Sequence, residues 1–520
     1  MNEVPHFNIM ALTPRDLDRP PRIHRVSFRH RTALMNSRSH LTINAVFGLL
    51  ALCLTATGPL PAAEASKDSP QASPPLELAA RMGLPFGDNA VLQQQMPIPV
   101  WGWTLPKAEV MVEFDRQKKT TVAGDDGRWQ VALDAMPADQ LASLDEAPSG
   151  RTMTVTTKQG GKEATKTLNN LLIGEVWLCA GQSNIGGKLG RGAAGSTLPD
   201  GSVLTGKYPA MRQMGSPSSE PWLVCTPETV GLFKKVGFYF GHPIQKEIRV
   251  PIGIISASVG GSGIETWMNQ PALPASNYET LIAPIAGYGI RGTVWYQGEG
   301  NEKDRRSYLP KFRSLIQGWR EVWKQGDFPF YFVQIASIGE SPADQPQGGD
   351  GRAEIRNAQF EALALPNTGM IVTIDIGEKK EHPKNKYDVG LRLSRWALHK
   401  NYGKADLVPS GPLYKSHVVE GGKIRVKFDH AQHGLMLAKK EGYEPPVPTP
   451  DAPMPWLSIQ SKDGSWHWAE GRIDGSDLIV SSKEVTEPVA VRYAYTQFPA
   501  GCNLYNKDGL PASPFSTCGY

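Results

Sequence analysis

The sequence has little of what usually announces a chemistry. Its 520 residues include five cysteines, and no Cys-x-x-Cys pair or Cys/His cluster has the spacing of zinc ligands. It has no Lys-Ser/Thr phosphate loop, and no Gly-x-Gly-x-x-Gly follows the first strand of its α/β region, so neither a phosphate cradle nor a dinucleotide site is indicated. "GQSNI" at 181–185 is not the Gly-x-Ser-x-Gly elbow of α/β-hydrolases. No repeat of 20–50 residues is present. Charge is balanced, with 55 Lys+Arg against 51 Asp+Glu and a formal net charge of +4. That leaves no basic footprint for nucleic acid. The apolar run "INAVFGLLALCLTATG" (43–58) is too short to span a bilayer.

That run has the length of a signal-peptide core, and "PAAEA" (61–65) offers cleavage after Ala65. Residues 1–42 are polar and basic, and Met35 is a better-placed start for such a leader. Cys53 follows Leu-Ala-Leu, a poor lipidation box. An uncleaved anchor is the competing reading. Residues 1–65 hold seven Arg and four acidic residues, so cleavage lowers the formal charge from +4 to +1. The expectation is an exported protein with no stable membrane insertion after cleavage. In an exported chain Cys502 and Cys518 are candidates to pair across a short C-terminal loop. Cys179, inside an apolar strand, reads as a buried thiol.

Residues 66–78 are a Ser/Pro-rich linker. From 79 to 170 the pattern has period two. Val110, Val112 and Phe114 share one face, Trp129, Val131 and Leu133 follow the turn "GDDG", and "RTMTVTT" (151–157) is a third run. A small antiparallel β domain is expected there. From 171 to 403 the grammar is alternating β and α. Apolar runs at 175–179, 252–257, 292–296, 328–335 and 369–375 do not alternate, as strands buried on both faces should not. Helices are expected at 302–324, where Tyr308, Phe312, Leu315, Trp319 and Trp323 have helical spacing, and at 352–364 and 384–401. The fold class is α/β, a doubly wound parallel sheet flanked by β-sandwich-like modules. Period two returns from 404 to 520, with Ile424, Val426 and Phe428 alternating. The loop at 337–351 is placed to act as a lid.

Four polar clusters follow predicted strand ends: Gly181-Gln182-Ser183-Asn184, Gly260-Gly261-Ser262-Gly263, Gln297-Gly298-Glu299-Gly300-Asn301, and His382-Pro383. Each alone is an ordinary turn or helix start. In a parallel sheet, however, all four gather at the carboxyl edge, where ligands bind. A serine there needs a base, and a developing oxyanion needs donors. Ser183, His382 and the glycine loops supply both.

The blocks "GEVWLCAGQSN", "VPIGIISASVGGSGIETWM", "IRGTVWYQGEGN", "GDFPFYFVQIA" and "HPKNKYDVG" resemble the sialate O-acetylesterases, SGNH-type carbohydrate esterases. "FGDNAVLQQQMPIPVWGW" and "VRYAY…NLYNKDGLPASPF" resemble the ends of the same family, so the likeness spans about 80–516. It implies Ser183 as nucleophile and His382 as general base. It implies the amides of Ser183 and Gly261, with the Gln297 side chain, as oxyanion donors. Asn184, Gly260, Ser262, Glu299 and Asn301 would shape the pocket. It implies acetate and a deacetylated sugar as products, an acetylated sugar or polysaccharide as partner, and neither metal nor cofactor. Nothing in the sequence speaks to oligomeric state.

The departures bear on mechanism. The family carries an acid two residues before the histidine, and "GEKKEHP" places Lys380 there. Either Glu378 or Glu381 orients His382, with Glu378 favoured because a side chain adjacent to the histidine tends to point away, or the enzyme works as a Ser-His pair, or it is impaired. "GQSNI" and "QGEGN" replace the family's "GQSNM" and "QGESN". Acetylxylan or another polysaccharide is the alternative substrate to sialate. A carbohydrate-binding protein on a decayed scaffold is the rival from another class, and a lipid or thioester hydrolase of the same fold is the third. The Gly/Asn/Gln/Glu loops suit hydroxylated substrates better than an acyl chain.

Overall fold

The computed structural model describes residues 75–217, 220–269 and 276–518. The expected leader, and most of the expected linker, lie outside the described residues. Among those residues no helix is long and apolar enough to cross a membrane.

Seven strands form the main path of an 11-stranded sheet: β1 (Lys162–Gly181), β2 (Tyr208–Met214), β3 (Trp222–Cys225), β4 (Ile252–Ser258), β5 (Gly292–Tyr296), β6 (Phe330–Val333) and β7 (Thr368–Ile371). Their order is β3-β2-β4-β1-β5-β6-β7, and every neighbouring pair except β2–β3 is parallel. The unalternating apolar runs are explained by burial on both faces. Val176, Leu178 and Ala180 enter one core while Trp177 and Cys179 enter the other. Phe330 and Phe332 likewise face away from Tyr331 and Val333.

Helices cover both faces. α1 (Ser183–Gly186) is a single turn; α2 (Lys235–Ile248) and α5 (Lys386–Asn401) share the core of Trp177 and Tyr331. α3 (Tyr308–Trp323) and α4 (Gly351–Glu361) lie in the core of Phe330 and Phe332. The five apolar residues expected on one face of α3 are all buried, at about 1.5–3 kcal/mol each. The α-helix begins later than expected. Glu299–Ser307 forms 3₁₀ turns interrupted at Asp304 (φ −117°), and Pro310 then falls in the first α-turn, where a missing N–H costs nothing. α2 is not among the helices expected from the sequence, and it contains Gly237, Gly241 and Pro243. The glycines fit close approach. A Cβ on Gly237 would lie 2.9 Å from Ile254, and one on Gly241 2.9 Å from Met211.

β1 belongs to two layers. Its first half pairs antiparallel with Arg151–Gln159, and its second half runs parallel between β4 and β5. The expected boundary at 170/171 falls inside this continuous strand. At its middle, fully buried Glu175 holds Arg291 through both oxygens (2.6 and 2.8 Å) and accepts from Gln94 and Tyr402. Beyond α5, two four-stranded antiparallel sheets carry the expected period-two strands, with Ile424, Val426 and Phe428 buried. Cys502 and Cys518 are not bonded: Cys502 is buried and Cys518 exposed. Cys179 is buried as expected, and burial raises its thiol far above the ordinary range.

Register sets the site. Gly181 of β1 is level with Ser258 of β4 and Tyr296 of β5, so the three following loops leave the same edge side by side. The chain fills one side of β1 with β2, β3 and β4, then crosses to the other with β5, β6 and β7. The end of β1 is therefore the switch point, where open α/β sheets bind ligands.

Candidate active site

Ser183 opens α1 directly beyond β1. The turn needs glycine at 181: φ is +143°, and a Cβ there would lie 2.2 Å from the Tyr296 carbonyl oxygen. Ser183 is half-buried and His382 exposed, and Ser183 Oγ lies 2.8 Å from His382 Nε2. The hydroxyl donates to Nε2 in the tautomer that carries the ring proton on Nδ1. The exposed Gly260–Gly261 turn passes beside the serine. A Cβ on Gly260 would be 3.7 Å from that of Ser183, and Gly261 takes φ +70° with open space around it. Backbone can therefore approach a ligand closely there.

The expected orienting acids do not reach the imidazole. Glu378 accepts from the Lys384 amide at 2.7 Å. The Glu381 side chain is exposed, and its carbonyl accepts from Asn184 Nδ2 at 3.2 Å. Among the described residues no carboxylate lies within ion-pairing distance of the His382 ring. Local sequence proximity suggested a partner, but the loop turns both side chains elsewhere.

Gln297 also differs from expectation. It is fully buried, and its two amide hydrogens go to the Ser262 carbonyl (3.1 Å) and Asn301 Oδ1 (2.8 Å). Its Oε1 accepts from Tyr308. With both hydrogens committed, it braces the glycine loop and has none to offer an oxyanion. Asn301 continues the brace, accepting from the Ile264 amide and donating to Glu265. Ser262 donates to the Val259 carbonyl and accepts from Trp267 Nε1. Gln182 Oε1 takes the Gly300 amide. Asn184 is buried and donates to Glu299 Oε1 at 2.7 Å, while Lys386 donates to Asn184 Oδ1 at 2.7 Å. Lys386 was not picked out from sequence, and Gln182 was named only as part of its cluster, with no role. The burial of Lys386 arises only in the tertiary fold, and no local pattern marks it.

The 337–351 loop is fastened rather than free as a lid. Gly349 donates to the Tyr495 carbonyl, Ser341 Oγ accepts from the Phe498 amide, and Asp350 caps α4 while accepting from Thr496. A Ser-His-Glu string exists elsewhere, far along the chain. Ser465 Oγ is 2.9 Å from His467 Nε2, and His467 Nδ1 is 2.7 Å from Glu484. Its hydroxyl, however, donates to Asp463 Oδ1 at 2.6 Å, a bond that holds the Asp463 carboxyl below its usual range. An ionised carboxylate outcompetes a neutral imidazole for that proton. Ser465 and Glu484 are exposed and His467 is half-buried on the strand Trp466–Trp468, so the string is a surface network.

Comparison with known proteins places the chain in a family. Residues 173–397 match the family described as carbohydrate esterase, sialic acid-specific acetylesterase. A carbohydrate acetylesterase from Xanthomonas citri is 33% identical, with a TM-score of 0.72, covering 84% of this chain and 99% of that one. The chain belongs to the sialate O-acetylesterase family of carbohydrate esterases. It is a carboxylic ester hydrolase, and sugar O-deacetylation is the chemistry its family carries. Sialate O-acetylesterase of Homo sapiens is 27% identical over 499 residues, covering 82% of this chain and 91% of that protein. The Mus musculus protein of the same name is 26% identical over 530 residues, covering 82% and 92%. The matched family segment contains both Ser183 and His382.

Proposed function

We propose that this esterase works through Ser183 and His382 by way of an acetyl-enzyme. The observation that carries the reading is the 2.8 Å bond between Ser183 Oγ and His382 Nε2 at the carboxyl edge of the sheet. His382 takes the hydroxyl proton as Oγ attacks the acetyl carbonyl carbon. The C–O bond to the sugar then breaks, and the sugar oxygen leaves with that proton. Water, deprotonated by His382, attacks the acetyl-enzyme and releases acetate with Ser183 restored. The amides of Ser183 and Gly261 are the oxyanion donors in this scheme, and Gln297 holds their loop in place. The α/β region is read as SGNH-type and spans 171–403. An N-terminal β domain (79–170) and a C-terminal β region (404–520) flank it, behind a leader cleaved near Ala65 for export.

The substrate is an O-acetylated sugar or polysaccharide, because polar loops of Asn, Glu and Gly surround an open serine. Acetate release from acetylated sialic acid, xylan and pectin ranks the candidates. Ser183→Ala should abolish acetate release from an aryl acetate, while Ser465→Ala should leave it within about twofold. Loss of a triad serine costs about 10⁶ in turnover. Activity retained in Ser183→Ala would refute the serine mechanism.

A further inference from the structure

We infer that Lys386 is a positioning residue of this esterase: through Asn184 it fixes the backbone that carries His382 against the turn that carries Ser183. The inference rests on the Ser183–His382 reading above. Lys386 opens α5 and is 7% exposed, which is rare for lysine unless it is paired. Its ammonium only donates, so the atom it meets at 2.7 Å must be the Asn184 oxygen. The Asn184 nitrogen is thereby aimed at two groups that only accept: Glu299 Oε1 at 2.7 Å and the Glu381 carbonyl at 3.2 Å. The three partners fix this amide in one orientation. Asn184 adjoins Ser183 and Glu381 adjoins His382, so a single side chain ties the two halves of the reacting pair together.

The charge balance makes the tie sensitive to the state of the ammonium. Burial lowers the Lys386 pKa to about 8, with Lys235 acting in the same direction. Glu299 and Glu378 act against them, and the Tyr296 ring centroid lies 5.4 Å from Nζ. At neutral pH the ammonium persists. Above about 8 the neutral amine can accept as well as donate, so the Lys386 anchor on Asn184 weakens and the tie rests on Glu299 and the Glu381 carbonyl alone.

The test compares full-length wild type, Lys386→Met, Lys386→Arg and Ser183→Ala in acetate release from 4-nitrophenyl acetate across pH 6–10. Lys386→Met should lower kcat about 10- to 100-fold, the scale of a small misplacement of reacting groups, with KM within about twofold. Wild-type kcat should fall as pH rises through about 8. That limb should be absent from Lys386→Arg, whose guanidinium stays charged. A lysine that merely stabilises the fold would lower the melting temperature and leave the limb where it was. Wild-type kcat in Lys386→Met, or an alkaline limb shared by wild type and Lys386→Arg, overturns the inference. If Lys386→Met does not fold, the wild-type and Lys386→Arg profiles decide alone. Full activity in Ser183→Ala instead removes the reading beneath it.

Discussion

Replacing Glu378 or Glu381 by glutamine should barely change turnover. Glu378 Oε1 receives the Lys384 amide at 2.7 Å, and a glutamine oxygen accepts the same bond. What is lost is the charge-assisted part of one hydrogen bond, about 1 kcal/mol of local stability. Glu381 takes part through its carbonyl, which the substitution leaves in place. Both variants should therefore keep kcat within about threefold. An acid that orients the catalytic histidine sets a different scale: in a well-studied serine protease its loss costs about 10⁴ in kcat, or about 5 kcal/mol. The two outcomes differ by more than a thousandfold, so steady-state kcat for an aryl acetate separates them. A fall of a hundredfold or more in either variant, with its melting temperature unchanged, would mean that its carboxylate reaches His382 during catalysis. The Ser-His pair would then be refuted.

Two further substitutions test the scaffold. Glu175→Ala strips a fully buried carboxylate from Arg291, and breaking such a pair costs about 3–5 kcal/mol. The denaturation midpoint should drop accordingly, while kcat of the folded protein stays the same, since Glu175 lies about 20 Å along β1 from its catalytic end. Gly390→Ala gains about 1 kcal/mol of helix propensity, yet its Cβ would lie 2.5 Å from that of Tyr239 on α2. Overpacking of about 1–3 kcal/mol should win and lower the melting temperature; a rise would show that the α2–α5 contact yields easily.

What the sequence revealed and what it hid have separate physical causes. The sheet was legible because strands buried on both faces leave unbroken apolar runs, and the glycine-rich turns after them mark the carboxyl edge. The clusters holding Ser183, Gly261 and His382 could be placed at that edge for the same reason, while their roles came from the family resemblance. α2 was hidden because its packing uses Gly237 and Gly241 at contact points, and glycine reads as a breaker when the contact is unseen. Lys386 was hidden because a lysine at a helix start is ordinarily solvated. Gln297 was found, but its geometry differs: a polar side chain at a strand end serves equally as a donor to ligand or as a brace beneath the loop. Only the hydrogen-bond partners distinguish them. Glu378 and Glu381 misled because adjacency along a chain says nothing about where an exposed loop aims its side chains.

An orienting carboxylate does two things for a catalytic histidine: it fixes the ring, and it stabilises the imidazolium that forms. The Asn184 tie addresses part of the first, because it places the backbone that carries the ring. The exposure of His382 addresses the second. A buried imidazolium without a partner would be costly, and there the carboxylate is needed for charge as much as for orientation. At the open edge of this sheet, water can solvate the cation as it forms. In the proposed mechanism the same access admits the water that cleaves the acetyl-enzyme. A Ser-His pair held through its backbone is therefore consistent with an exposed site, whereas the same pair sealed beneath a lid would face an uncompensated charge. The 337–351 loop, held by its bonds to Tyr495, Thr496 and Phe498, is consistent with a proposed pair that works in contact with solvent.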